Sequence, residues 1–172
     1  MREEKPSFEQ AMNASLLWCN AWDNEELSDE VLADRVAELI KTPEGARGFL
    51  VISLSSNGPL MDRLPEPLVL ELRAAGELII ELSIKNLAMS SAMAIHHHRN
   101  QDIDQQERSE RITTRCRELL RLLEPNGVKS KLEMLLNALE GEGDDVNFVN
   151  RWGYDNEQKI AIATSLNSVP ES

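Results

Sequence analysis

His96, His97 and His98 are the only histidines in this 172-residue chain, and they follow directly on an apolar segment, Leu68–Ile95. Three imidazoles in a row raise the question of a metal site. In a helix, consecutive side chains point about 100° apart, so the triplet cannot close on one ion. A helical site needs His at i and i+4, as in HExxH, and that pattern is missing. Met93 with His97, and His98 with Asp102, have the four-residue spacing, which offers two donors per pair and no more. Zinc wants further ligands, while Cys19 and Cys116 both sit among apolar helical positions, where a thiol is inert. The sequence therefore assigns no metal site and defines no cofactor.

Other chemistry finds little footing. There is no Gly-x-Ser-x-Gly elbow, and neither cysteine has a histidine in a local pattern. Gly45-Ala46-Arg47-Gly48 is too short for a phosphate loop and lacks the following Lys-Ser/Thr. The acidic turn Gly141–Asn147 has its carboxylates out of register for calcium. No catalytic residue is assigned, and the chain reads as a non-enzyme. His97 is the one acid–base group expected on an inward face.

That expectation comes from the element that carries it. On a helical wheel, Leu72, Ala75, Ile79 and Leu82 share one meridian, and Ser83, Asn86, Ser90, Met93 and His97 continue it. A polar file on an inward face must find partners in a neighbouring helix, in water, in a second subunit or in a ligand. The simpler reading is a hydrogen-bonded core, with Ala88, Ser90, Ser91, Ala92 and Ala94 small enough to let another helix approach. The sharper reading is a ligand pocket lined by Asn86, Ser90, Met93 and His97.

Helical periodicity runs through the rest of the chain. Phe8, Met12, Leu16, Cys19 and Trp22 recur at three- and four-residue steps behind Ser7, a good N-cap. Ser28-Asp29-Glu30 opens a second helix that turns Val31, Leu32, Val36, Leu39 and Ile40 inward. Residues 49–54 could be strand or helix. Thr42-Pro43 is a helix start, and no second strand exists for pairing, so the expectation is helix.

One long helix of about 68–98 follows, entered through Pro67. The polar run 98–107 then bends the chain back, with Asp102 capping a new helix striped by Ile112, Cys116, Leu119, Leu120 and Leu123. Pro125-Asn126-Gly127 ends that helix. Val128, Leu132, Leu135, Leu136 and Leu139 make the next one, closed by Gly141. Two short helices finish the chain, the first anchored by Val146, Val149 and Trp152, the second running from Asp155 to about Leu166.

The fold expected is all-α: a single compact helical domain, 1–172, of six to eight helices around the long central helix, with disordered tails at 1–6 and 168–172. The 4% aromatic content suits helix-on-helix packing better than a β-sandwich. A net charge of −12 argues against nucleic acid and anionic membranes as partners. Glu81, Lys85 and Asn86 interrupt the apolar run, which argues against a span. No apolar leader follows the N-terminus, so the expected location is cytoplasmic.

Charge is uneven along the chain. Residues 99–121 hold six arginines against five acids, +1, which leaves −13 for the remainder. Arg108, Arg111 and Arg115 flank one side of that helix's apolar stripe. They form either a solvated face or a docking surface for an acidic protein partner. The resulting expectation is a protein acting through protein–protein contacts as a homodimer, with a regulatory or scaffolding role. A small-molecule binder using the pocket at the end of the long helix is the alternative.

Overall fold

The computed structural model describes residues 5–170, and among them there is no strand. Nine α-helices succeed one another: α1 Phe8–Asp23, α2 Asp29–Leu39, α3 Pro43–Ser55, α4 Glu66–Ala74, α5 Glu77–Arg99, α6 Ile103–Leu122, α7 Pro125–Leu139, α8 Val146–Arg151 and α9 Asn156–Asn167. The all-α class holds. The chain falls into two compact units, 1–82 and 83–172, with α5 beginning in the first and continuing in the second.

Helix starts follow local chemistry. Ser7 accepts from the Gln10 amide while the Gln10 side chain reaches back to Ser7 N, a complete capping box. Ser28 caps α2, Thr42 caps α3 ahead of Pro43, and Asp102 caps α6. Residues 49–54 are therefore helical. α6 ends at Leu122, ahead of Pro125, and Pro125 itself occupies the first turn of α7, where Glu124 accepts from the Asn126 and Gly127 amides.

The first unit packs α1 on α3 and α2 on α4. The buried stripe of α1 is Ala11, Ser15 and Cys19, and Leu16, expected inward, is 49% exposed. Close approach explains the rotation: a Cβ on Gly48 of α3 would lie 2.5 Å from the Ala11 Cβ. Small residues, not the large ones, face the neighbouring helix.

The expected long helix of 68–98 is broken. Gly76 adopts φ +66°, ending α4 and letting α5 restart at Glu77. A left-handed residue just past a helix end is where glycine's missing Cβ is useful, because its amide can close on the last turn. Gly76 N donates to Arg73 O at 3.0 Å. α5 retains the length and apolarity of a membrane span by composition, and half of that window is buried in protein.

In the second unit, Gln101 turns the chain with φ 57° between α5 and α6. α7 packs on α8 and α9. Ser168 and Val169, read from sequence as the start of a loose tail, are held. Arg121 Nε donates to Val169 O and its Nη2 to Ser168 O, both at 2.8 Å, while Arg117 Nε donates to Ser168 Oγ at 2.8 Å. Those carbonyls lie past the end of α9, where nothing helical satisfies them. Of the rest of the expected tails, residues 1–4 and 171–172 lie outside the described residues.

Candidate functional site

Part of the polar file on α5 is spoken for, while Ser83 Oγ is buried with no hydrogen-bond partner among the described residues. Ser90 Oγ donates to Leu87 O at 3.1 Å and lies 2.8 Å from Thr113 Oγ1 on α6, which itself donates to Ser109 O. Ser91 Oγ donates to Ser165 Oγ on α9 at 2.7 Å and to Leu87 O at 2.7 Å. Gln158 adds a bond from its side-chain amide to Ala92 O. The serines thus tie α5 to α6 and α9. Asn86 is half-buried and partnered, Met93 is 41% exposed, and His97 is half-buried. None of these residues lines either of the two hollows along α7 and α9.

All three histidines lie within α5, in its last turn. His96 Nε2 is 3.2 Å from Asn100 Nδ2, and His98 Nδ1 is 3.2 Å from Gln106 Oε1. The rings of His96 and His97 meet edge to face at 5.4 Å. Among the described residues no three His, Cys, Asp or Glu side chains come together as metal ligands. Arg99 closes the helix end by a two-pronged bond to Asp155, at 2.6 and 3.2 Å, and a further one to Glu157. That guanidinium, with the Gln158 amide, holds the Asp155 carboxyl down at about 2.

Both cysteines are buried. Burial pushes the Cys19 thiol up to about 11, with Asp23 adding to the effect, and moves Cys116 further in the same direction. Such thiols stay protonated and are poor nucleophiles.

The arginine trio does not share a surface. Arg108 is exposed, Arg111 half-buried, and Arg115 only 2% exposed, the largest fully buried side chain described. A guanidinium so enclosed cannot meet an acidic partner. Arg117 and Arg121 of α6 are the ones that clamp the end of α9. Trp152 is likewise no anchor: it is 51% exposed, with the Arg151 guanidinium 5.3 Å from its ring centroid, and Val149 alone of its expected stripe is buried.

The accessible feature that stands out is a groove on the second unit. One part, about 680 Å³, is walled by Leu120, Leu123, Pro125, Val128, Leu132 and Leu166, with Lys129 and Glu133 at its polar positions. A second part, about 640 Å³, lies between the α7 end at Leu139 and Glu140 and the α9 residues Lys159, Ile160 and Ala163. The two share Leu136 and Asn167, so they run into one another along α7 and α9. Ile160 stands beside the second part at 67% exposure.

Sequence reasoning passed over this face, although a signal was present. Ile160-Ala161-Ile162-Ala163 is four consecutive apolar residues, and one helix cannot turn all of them to the same side. Ile162 and Leu166 are buried, which leaves Ile160 outward.

Fold and groove together define an all-helical protein with a cleft between α7 and α9 and, among the described residues, no assembled metal cluster. The chain matches the family described as uncharacterised conserved protein UCP020893 over residues 7–169, and it belongs to that family. No curated protein and no solved structure matches it.

Proposed function

We propose that this is a non-enzymatic cytoplasmic protein that acts through protein–protein contacts and works as a homodimer. The observation that carries the reading is the groove along α7 and α9, with Ile160 projecting beside it. Ile160, with Leu136, Leu139 and Ala163 part-exposed beside it, is apolar surface that association can cover, and contiguous patches of this kind mark interaction sites. Two further facts agree with the reading. The thiols are buried and held protonated, and Ser90 and Ser91 of α5 spend their hydroxyls on α6 and α9.

The test is the mass of the untagged protein in solution across a wide concentration range, by light scattering or sedimentation equilibrium. The expected result is twice the 19.4 kDa chain mass, falling toward the single-chain value on dilution. A sharply monomeric mass at every concentration refutes the dimer.

A further inference from the structure

We propose that the α7–α9 face is a two-fold interface between copies of this chain, in which Ile160 of each protomer seats in the groove of the other. The inference rests on the homodimer reading above and adds where the two chains meet.

Shape is the first argument. A two-fold interface presents the same patch on both sides, so the patch must carry both a projection and the hollow that receives it. Here the two are adjacent. Ile160 stands out from α9 at 67% exposure, and the hollow beside it has Leu136 and Leu139 of α7 and Ala163 of α9 as its apolar walls, rimmed by Asn137, Asn156 and Asn167. α9 is apolar on both sides: Ile162 is buried in the unit's own interior, while Ile160 and Ala163 border the groove. A lone helix in water has no use for the second apolar side.

Charge selects the occupant. The chain carries −12, so two copies meeting at random bring acid against acid. The lining of the groove holds Arg121, Lys129, Glu133, Glu140 and Lys159, a sum of +1, so this face lacks the acidic excess of the rest of the chain. Glu140 and Lys159 stand on opposite walls of the groove, and among the described residues neither has an ion-pair partner. A two-fold axis through the groove sets Lys159 of each chain against the partner's Glu140, twice over. Opposite charges in that arrangement fix register and exclude other pairings.

Sedimentation equilibrium on the full chain tests this with four variants. Ile160→Glu should weaken dimerisation by about 100-fold, because it places a carboxylate in the apolar seat. Lys159→Glu and Glu140→Lys should each weaken it by about 10-fold, and the double swap in one chain should return it to within a few-fold of the parent. All these positions lie at the surface, and unchanged far-UV circular dichroism and melting verify the fold. A parent dimer indifferent to Ile160→Glu places the interface elsewhere and overturns this inference while leaving the dimer standing. Swaps that weaken the dimer without mutual rescue overturn the two-fold geometry. A parent that is monomeric throughout overturns the homodimer reading itself.

Discussion

Gly48→Ala tests how closely α1 and α3 approach. In an exposed stretch of helix, replacing Gly by Ala stabilises by about 0.5–1 kcal/mol, because the unfolded chain loses freedom. At Gly48 the added carbon would lie 2.5 Å from Ala11 Cβ and 3.0 Å from both Ala11 C and Met12 N. Two of those atoms belong to the α1 backbone, so no side-chain rotation relieves the contact and the helices must part. Overpacking of this kind costs about 1–3 kcal/mol, and backbone clashes belong at the upper end. The propensity gain offsets part of it, leaving a net loss of about 1–2 kcal/mol. For a chain of 172 residues that lowers the melting temperature by about 2–8 °C. Urea and thermal unfolding followed by circular dichroism read it directly. Ala11→Gly removes the nearest clashing atom and costs about 1 kcal/mol alone. Combined with Gly48→Ala, it should be less damaging than the two losses added, by about 0.5 kcal/mol or more. A Gly48→Ala protein as stable as its parent, or strict additivity in the cycle, would refute the close α1–α3 contact.

Two further outcomes follow from the second unit. Asp155 has its carboxyl lowered from 3.8 to about 2 by Arg99, so its bond stabilises the fold fully above the ordinary value and is lost as pH falls through about 2. The stability difference between the parent and Asp155→Asn, which keeps a capping side chain, should be constant from pH 7 to 5 and shrink below pH 4; a difference that instead grows on acidification contradicts the Arg99 pairing. Ser91→Ala strands the Ser165 hydroxyl and should cost about 1–3 kcal/mol, whereas Ser91→Ala with Ser165→Ala removes both partners and should recover part of that loss. Equal stability of the single and double variants in denaturant melts would show that the two hydroxyls do not meet.

How much of this could be read from residues alone divides by range. Ser7, Ser28, Thr42, Asp102 and Asp155 were legible as helix starts because a cap is settled within four residues of chain. The all-helical class followed from a three- and four-residue apolar rhythm and the absence of paired strand-like runs. Even the choice of helix for 49–54 needed nothing beyond Thr42-Pro43 and the lack of a partner.

What tertiary structure alone decided was which side of each helix lies against a neighbour. The wheel put Leu16 inward because it is large, yet α1 turns Ala11 and Ser15 to α3, since Gly48 permits an approach that a leucine would block. It put Arg115 with Arg108 on a docking face, and packing enclosed it. It read Ser90 and His97 as one polar file, but Thr113 and Ser165, distant in sequence, take up the hydroxyls of Ser90 and Ser91. Gly76 was visible as a residue but not as a break, because glycine allows the left-handed turn without requiring it. The groove along α7 and α9 needed two helices to be set side by side before it existed. Sequence determined the elements, through interactions that close within a turn; the fold decided their faces, through contacts between residues tens of positions apart.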